Sequence, residues 1–337
     1  MKIQFTIFLT LLYFSISQQT HNIVLSPSGS TMDDSPLVEE ATNGVSEIPN
    51  SVLITESNTY VLQGEYIGHV FVKLNKTENA TFILNGVNIT NPNGPGIVIS
   101  RAREIDKNKY TRLNPITVER AKQVDWDNVG IRIIIADDTE NIVNAGHDDD
   151  YDGAFFSKVS MVIDGGVKGN GKLTIIADSE GLDTKRHMQI NGGVINIMAN
   201  DDGINPSKEY GSVFELNGGT LRVNGGQSKS RGDGIDCNGI LIINGGDVIS
   251  SGYGIDSGFD GTSGIIINGG IAIGAGSMID RADEESKQPT MNLMFKSDVD
   301  PKKVLTIEDS KKNVIVKFSL AEAGFIEGTK LNKSSFC

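Results

Sequence analysis

A short motif recurs five times in the middle of the chain: an aliphatic residue, then Asn or Asp, then two glycines. Its copies begin at Ile163, Ile190, Leu216, Ile243 and Ile267, at intervals of 27, 26, 27 and 24 residues. A second motif, Gly followed by Leu or Ile and then Asp or Asn, begins at Gly181, Gly203, Gly234 and Gly254. An internal period of this length is typical of stacked repeat proteins.

Each repeat has room for three short strands and no helix. This pattern predicts an all-β protein, a right-handed parallel β-helix with about 24–27 residues per coil. The glycines suit corners that need positive φ. The residue before them, Asn at four positions and Asp164 at the fifth, is predicted to stack as an inward ladder of amides. A β-propeller or sandwich is the structural alternative, although strands in those folds run longer.

Composition narrows the classes of partner. The chain has 39 glycines, 9 prolines and 6% aromatic residues, as expected for many short strands joined by tight turns. A net charge of −13 argues against nucleic acid, which needs clustered Lys and Arg, and is compatible with cations or neutral ligands. The four histidines show no ligand spacing, so zinc is not expected.

The N-terminus has the features of a secretory signal peptide over residues 1–17. Lys2 precedes an apolar run from Ile3 to Phe14, and Ser15-Ile-Ser17 offers a cleavage site. Secretion without a membrane span is expected, with an uncleaved anchor as the alternative. Four glycosylation sequons agree with secretion: Asn75, Asn79, Asn88 and Asn332. Cys237 and Cys337 could pair, but two cysteines do not make a disulfide framework.

Three segments follow the signal peptide. Residues 18–50 lack periodicity and are predicted to be a flexible leader. Residues 51–288 form the β-helix domain, with a charged insertion at 101–128 that holds the only tryptophan, Trp126, and projects as a loop or short helix. Residues 289–337 are predicted to be a C-terminal β-hairpin cap over the open end of the stack, with strands at Thr290–Phe295, Val304–Ile307 and Asn313–Ser319.

Acidic residues gather at the second motif of each repeat. The candidate metal ligands are Glu180, Asp183, Asp201, Asp202, Asp233, Asp236 and Asp256. In a β-helix these carboxylates stack, and two unit charges about 5 Å apart repel by roughly 3 kcal/mol at an effective dielectric of 20. Carboxylate and carbonyl oxygens suit Ca²⁺. The alternative is a solvated acidic edge, screened by salt and by Lys185, Lys208 and Arg231. The run His147–Asp152 is a second acidic cluster, interpreted as a surface loop.

Aromatic and cationic residues close to this corner are candidates for ligand binding. Aromatic rings suit the apolar faces of sugars, and Lys suits hydroxyl or carboxylate groups. The candidates are Tyr151, Lys185, Lys208, Tyr210 and Tyr253. Packing within the protein is the alternative role for each ring. The long flank of a β-helix matches a linear polymer better than a compact metabolite.

The order of motifs resembles one known family. The segments YVLQGEY, FILNGVNIT, GPGIVIS and DDTENIV precede the INGG and DDGI repeats, and QPTMNLMF follows them. Over roughly Ser51 to Lys330 this order is similar to the calcium-containing parallel β-helix carbohydrate-binding family, whose founding member binds cellulose and polygalacturonate-type polymers and whose fold is distantly similar to family 9 pectate lyases. The resemblance implies calcium at Asp201, Asp202, Asp233 and Asp236, with Glu180, Asp183 and Asp256 on neighbouring coils. Asn205 and Tyr253 depart from the aspartate pattern.

The expected function is therefore a secreted, non-enzymatic, calcium-stabilised protein that binds cellulose or an acidic, pectin-like polysaccharide. One alternative is a calcium-dependent polysaccharide lyase, for which Lys185, Arg186 or Lys208 could abstract a proton. The other alternative is a structural or adhesion surface protein without glycan specificity.

Overall fold

A computed structural model of the chain describes residues 18–37, 51–227, 231–278, 280–294 and 303–319. The predicted signal peptide, the sequon at Asn332 and Cys337 lie outside these residues. Within them the chain is nearly all β, with mainly parallel strands and two very short helices, which confirms the prediction of an all-β protein. No helix in this part of the chain is long and apolar enough to cross a membrane.

The strands are numbered in chain order. The first eight are β1 (Thr20–Leu25), β2 (Thr31–Met32), β3 (Ser35–Pro36), β4 (Ser51–Ile54), β5 (Thr59–Ile67), β6 (His69–Lys73), β7 (Ala80–Asn91) and β8 (Ile97–Arg101). The next nine are β9 (Ile131–Ile135), β10 (Glu140–Ala145), β11 (Gly153–Ser157), β12 (Met161–Gly165), β13 (Lys172–Ala177), β14 (Glu180–Thr184), β15 (Met188–Ile190), β16 (Val194–Ala199) and β17 (Ile204–Pro206). The last ten are β18 (Ser212–Leu216), β19 (Thr220–Asn224), β20 (Ile235–Cys237), β21 (Gly239–Ile243), β22 (Asp247–Ser251), β23 (Phe259–Gly261), β24 (Gly264–Ile267), β25 (Ile271–Ala275), β26 (Val304–Glu308) and β27 (Val314–Ser319). The helices are α1 (Val118–Ala121) and a 3-10 helix (Trp126–Asn128).

Three parallel ladders organise the strands. The first ladder contains β9, β12, β15, β18, β21 and β24. The second contains β10, β13, β16, β19, β22 and β25. The third, a separate eight-stranded sheet, contains β4, β6, β8, β11, β14, β17, β20 and β23. The long strand β7 pairs with both β9 and β10, so the first two ladders belong to one sheet.

The chain visits the ladders in a fixed order. Strands β14, β15 and β16 lie in the third, first and second ladders, and β17, β18 and β19 repeat that order beside them. We call three such strands a coil. Asn191 and Asn217, which stack on successive coils, are 26 residues apart, the interval between the corresponding motif copies.

The core lies between the ladders, where alternate side chains point inward. The aliphatic residue of each Asn-Gly-Gly or Asp-Gly-Gly motif is at most 1% exposed, namely Ile163, Ile190, Leu216, Ile243 and Ile267. All five belong to one continuous apolar cluster that extends from Ile23 to Ala272. Burial of one such side chain contributes about 1.5–3 kcal/mol, so the stacked aliphatic residues stabilise successive coils.

The Asn ladder forms, but on the outside of the coils. The Nδ2 atoms of Asn217, Asn244 and Asn268 each donate to the Oδ1 atom of the preceding rung over 2.8 Å. Asn217 and Asn244 are exposed, so the prediction of an inward ladder is wrong. The corner turns the residue after the buried aliphatic outward, and the second glycine of the four Asn-Gly-Gly copies adopts φ near +90°, as at Gly219 (+91°).

The predicted leader contains regular structure. Strand β1 pairs in parallel with β5, and its Ile23 and Leu25 enter the core. Strand β2 folds back on β1 as an antiparallel partner, and β3 pairs in turn with β2, also antiparallel. The expectation of a flexible leader is therefore wrong for residues 20–36, where two apolar side chains in a polar stretch suffice to extend the sheet by one strand.

The insertion at 101–128 does not project. Its Ile116 and Ala121 are buried against Val213, Ile240 and Ile242 on the outer face of the first ladder. Trp126 Nε1 donates to Glu215 Oε2 over 3.0 Å. The insertion therefore covers the apolar outer residues of this ladder, which would otherwise face water.

The C-terminal part differs from the predicted end cap. Residues 290–294 form no strand, and β26 and β27 form an antiparallel pair. Phe318 of β27 packs on Ile249 and Ile273, which lie on the outer face of the second ladder. The residues that contact the last strand of the first ladder lie instead between β25 and β26. There Ala282 packs against the core, and the amide of Asp283 donates to Ile265 O over 2.8 Å.

Candidate functional site

One row of outward side chains crosses the third ladder. Its members, in ladder order, are Leu53, Phe71, Val98, Phe156, Asp183, Asn205, Asp236 and Asp260. The row changes from apolar to acidic between Phe156 and Asp183, which are direct partners in neighbouring strands. The acidic residues of this row all belong to the later coils, from β14 onward.

A second row consists mainly of acidic residues, each of which directly precedes a glycine at or near the start of a third-ladder strand. Its members are Asp152, Glu180, Asp202, Asp233 and, at the last coil, Ser257. Backbone bonds fix the stacking, since Gly203 N donates to Asp233 O and Gly234 N donates to Ser257 O, both over 3.0 Å. We call the carboxylates of the two rows the acidic edge: Asp152, Glu180, Asp183, Asp202, Asp233, Asp236 and Asp260.

Three of these carboxylates form a compact group, which we call the trio. One oxygen each from Asp152, Glu180 and Asp183 lies within 4.8 Å of the others. Glu180 Oε1 accepts a hydrogen bond from Asn205 Nδ2 over 2.7 Å, and Asp183 Oδ1 accepts one from Ser207 Oγ over 3.1 Å. Among the described residues, the trio alone brings three potential ligand atoms this close together.

The trio fits a hard metal cation. Glu180 is 8% exposed and its Oε2 atom is buried without a hydrogen-bond partner, an arrangement that is costly unless a cation or a proton supplies the missing interaction. Burial, and then the charge of Asp183, raises the pKa of Glu180 well above its usual range. Burial also raises the pKa of Asp183, although Lys185 opposes it. An all-oxygen donor set suits Ca²⁺ or Mg²⁺ rather than softer metals.

Lys185 lies at the trio. Its Nζ atom is 2.8 Å from Asp183 Oδ2 and 3.5 Å from Asp152 Oδ2. It also lies 5.3 Å from the centre of the Phe156 ring, at the boundary between the apolar and acidic halves of the first row. Burial disfavours the charged form of Lys185, but the charge and hydrogen bond of Asp183, together with the charges of Glu180 and Asp152, outweigh burial and raise its pKa.

The later carboxylates of the acidic edge repel one another. Burial, followed by the charge of Asp236, raises the pKa of Asp202 to about 8. Burial raises the pKa of Asp233 and Asp236 to about 7 each, and that of Asp260 to about 6 with a contribution from Asp280. A bound cation would reverse this cost, because it favours the ionised form of every carboxylate nearby.

The predicted metal ligands are therefore only partly brought together. Glu180 and Asp183 belong to the trio, while Asp202, Asp233 and Asp236 lie on the neighbouring coils. Asp201 is exposed, and Asp256 accepts from Arg231 Nη2 over 3.3 Å.

Sequence reasoning placed Asp152 in a surface loop rather than among the metal ligands, and it did not name Asp260 as a ligand. The pattern that finds Asp152 is an acidic residue, then Gly, then an apolar residue, as in Asp152-Gly-Ala and Glu180-Gly-Leu. The motif used for prediction began at the glycine and required Leu or Ile after it, so it excluded Gly153.

The predicted ligand-binding aromatics occupy different environments. Tyr151 is 8% exposed and packs edge-on against Phe156, with ring centres 5.0 Å apart, as expected for the alternative role of packing within the protein. Tyr210 is partly exposed, in a turn where its φ is +56°, next to Lys208. Tyr253 is partly exposed and its amide donates to Gly232 O over 2.9 Å.

Three of the predicted glycosylation sites lie near the N-terminal coils. Asn75 is exposed in a turn, where its Nδ2 atom donates to Glu78 Oε1 over 2.8 Å. Asn79 is partly buried and accepts from Gln18 Nε2 over 2.8 Å. Asn88, also partly buried, belongs to β7. None of the three lies in the acidic edge.

Comparison with known proteins places the chain in a family. A family model described as "Carbohydrate-binding domain-containing protein" matches residues 49–109 and 109–314. The chain belongs to this carbohydrate-binding family. A curated relative of the same description, from Acetivibrio thermocellus, is 26% identical over 173 residues, which cover 50% of this chain and 51% of the relative. The chain thus spans about half the length of that relative.

A solved structure has a similar fold. It is described as a polysaccharide lyase-like protein from C. thermocellum, as a gadolinium derivative. It is 20% identical, with a TM-score of 0.51, and the match covers 75% of this chain and 90% of the other. Within this chain the carbohydrate-binding match includes the whole acidic edge and the insertion, whereas strands β1–β3 lie before it.

Proposed function

We propose that this member of the carbohydrate-binding family is a secreted, non-catalytic protein that binds a polysaccharide, and that its fold is a right-handed parallel β-helix whose acidic edge holds Ca²⁺. The observation that carries the proposal is the family match, which spans every coil of the acidic edge. Parallel strands about 4.8 Å apart repeat similar groups along the flank, an arrangement that suits a linear polymer.

The chemistry of the trio supports calcium. Ca²⁺ takes six to eight oxygen ligands in flexible geometry, and Asp152, Glu180 and Asp183 offer carboxylate oxygens of which one, Glu180 Oε2, has no other partner. Mg²⁺ suits the trio less well because it requires a rigid octahedron. Bound Ca²⁺ would offset two of the three negative charges of the trio and would offer further coordination positions to hydroxyl or carboxylate oxygens of a glycan.

The state of Lys185 favours binding over catalysis. A lyase needs an unprotonated base at working pH. Burial lowers the pKa of Lys185, but the carboxylates of the trio together raise it above its ordinary value, so this side chain keeps its proton at neutral pH and is a poor base. A lyase remains the second candidate because the solved structure of similar fold is described as polysaccharide lyase-like.

Two measurements on the full chain test the proposal. Retention on insoluble polysaccharides, including cellulose, is compared in CaCl₂ and in EDTA, and absorbance of unsaturated products is followed with polygalacturonate and calcium. We expect calcium-dependent retention without new absorbance. New absorbance would establish the lyase, while neither retention nor absorbance would favour a structural role.

A variant of the trio connects the acidic edge to binding. Glu180→Gln removes one charge and one ligand oxygen from the trio, so retention in CaCl₂ should fall. Asp127→Asn serves as the matched control because Asp127 is an exposed carboxylate in the 3-10 helix and does not belong to the acidic edge. Equal retention by Glu180→Gln and Asp127→Asn would show that polysaccharide binding does not depend on the trio.

Secretion is supported by the predicted signal peptide at residues 1–17. Expression of the full chain in a secreting host should release protein whose N-terminus follows the Ser15-Ile-Ser17 segment. N-terminal sequencing of protein from the medium checks this outcome. Retention of the intact N-terminus in a membrane fraction would favour an uncleaved anchor.

A further inference from the structure

Lys185 and a metal ion would use the same carboxylate oxygen. Asp183 Oδ1 already accepts a hydrogen bond from Ser207 Oγ over 3.1 Å, which leaves Oδ2 as its other ligand atom. That oxygen is the atom 2.8 Å from Lys185 Nζ. Asp152 Oδ2, 3.5 Å from the same ammonium group, is shared in the same way.

Lys185 does not complete the trio. The ion pairs of the trio among the described residues join Lys185 to Asp183 and to Asp152. Glu180 Oε2 stays without a hydrogen-bond partner although Glu180 is 8% exposed. One positive charge therefore faces three carboxylates, and the buried oxygen of Glu180 marks a position that the ammonium group does not serve.

The ammonium group of Lys185 is also able to move away from the trio. Its side chain is 40% exposed, whereas that of Asp183 is fully buried. A long, flexible lysine at the surface can move its charged group into water while its stem keeps apolar contact, here beside the Phe156 ring. The carboxylates of Glu180 and Asp183 are held in place because both residues are buried in β14.

We propose that Lys185 is a tethered competitor of the metal ion: its ammonium group holds Asp183 Oδ2 and Asp152 Oδ2, and a divalent cation enters the trio only as Lys185 is displaced. This inference rests on the proposed function, in which the acidic edge binds Ca²⁺. The later carboxylates of the edge do not share this lysine in any ion pair of the described residues. Lys185 therefore weakens the affinity of the trio itself for a divalent cation.

The test is a calcium titration of the full chain by isothermal calorimetry. Lys185→Met removes the competing charge, so one site should bind Ca²⁺ about ten-fold tighter than in the unmodified protein or become detectable for the first time. Lys158→Met is the matched control, since Lys158 Nζ lies 5.2 Å from the Tyr151 ring on the same face and forms no ion pair with the trio. Its effect should stay within about two-fold, as expected for a screened charge.

Thermal unfolding gives a second readout. Without calcium, Lys185→Met leaves three carboxylates with no cation and should melt lower than the unmodified protein in EDTA, while excess CaCl₂ should restore it. If this variant cannot be purified in EDTA, Lys185→Gln, which keeps a donor for Asp183, takes its place and should show the same changes to a smaller extent.

Each outcome decides between the proposals. Tighter binding by Lys185→Met, with Lys158→Met unchanged, supports competition. Unchanged or weaker binding by Lys185→Met, in a protein that does bind Ca²⁺, overturns competition and leaves the calcium proposal intact. An absence of calcium binding in all three proteins overturns the calcium proposal together with it.

Discussion

The backbone amide of Asp233 donates to Asp202 Oδ1 over 2.7 Å, so neighbouring carboxylates of the acidic edge are held side by side. The relation recurs one coil further, where the backbone amide of Ser257 donates to Asp233 Oδ1 over 2.5 Å and Ser257 Oγ donates to the same oxygen over 2.9 Å. These hydrogen bonds favour ionised carboxylates, but burial and like charge oppose them. The opposing effects dominate, because the pKa values of Asp202 and Asp233 are raised to about 8 and about 7.

These pKa values predict a particular pH dependence of stability. Both lie above the ordinary value of 3.8, so the folded protein binds more protons, and the resulting stability is lost as pH rises through about 7 and 8. In EDTA, the melting temperature should therefore fall between about pH 5 and pH 8, and excess CaCl₂ should reduce the fall because a cation favours the ionised form.

A variant isolates the contribution of Asp202. Asp202→Asn keeps an acceptor for Asp233 N but removes a charge, so at pH 8 in EDTA it should melt several degrees higher, at roughly 2–4 °C per kcal/mol. Asp127→Asn should leave the melting temperature unchanged. Thermal melts monitored by circular dichroism provide the measurement, and a parallel pH dependence in Asp202→Asn and the unmodified protein would contradict the assignment.

The Asn ladder should be sensitive to loss of a donor. Asn217 donates to Asn191 and accepts from Asn244, both over 2.8 Å. Asn217→Asp replaces the donor with a second acceptor facing Asn191 Oδ1, and we expect a loss of about 0.5–1.5 kcal/mol in the free energy of unfolding. Urea unfolding measures the loss. Asn196→Asp, on the outer face of β16 and outside the ladder, is the control; an equal loss there would mean that the ladder geometry is not responsible.

The sequence predicted those features of the fold that depend on the regular spacing of the repeats. The spacing of the motif copies placed Ile163, Ile190 and Leu216 in register, because each buried aliphatic must stack on the next. It did not predict the side to which Asn217 points, since a one-residue change at a corner exchanges inside for outside. Features outside the period were harder to foresee, which is why the sequence placed the insertion in solvent although Ile116 is buried.

The residues of the candidate site divide in the same way, into those within the repeat pattern and those outside it. Glu180 and Asp183 were found because they sit in a recurring motif. Asp152 completes the trio from a coil whose motif differs, and only the stacking of β11 on β14 brings it to Glu180. The pairing of Lys185 with Asp183 depends on a flexible side chain, which spacing alone does not determine.

Cys237 should be inert in the native protein. It is 0% exposed, its Sγ atom lies 3.4 Å from Ile240 O, and burial raises the pKa of the thiol, so little thiolate forms at neutral pH. Alkylation with iodoacetamide followed by mass spectrometry should leave the Cys237 peptide unmodified until the protein is unfolded in guanidinium chloride. Native labelling, or a native crosslink between Cys237 and Cys337, would contradict its burial in the core.

The fluorescence of Trp126 should report whether Asp106 holds the insertion against the coils. Val213 N donates to His187 Nδ1 over 3.0 Å, which leaves the His187 proton on Nε2, 3.2 Å from Asp106 Oδ2. The Trp126 ring packs edge-on against His187, with ring centres 6.2 Å apart. Removal of the Asp106 carboxylate should therefore loosen the only tryptophan of the chain.

Burial alone would raise the pKa of Asp106, but hydrogen bonds, chiefly from His187, outweigh burial and lower it. The stability that Asp106 contributes is thus present above 3.8 and is lost as pH falls through its lower folded value. Asp106→Ala should cost about 1–3 kcal/mol and shift Trp126 emission to longer wavelength at neutral pH. The exposed Glu119→Ala, in α1, should not shift it. Identical emission spectra for the two variants would show that Asp106 does not hold the insertion in place.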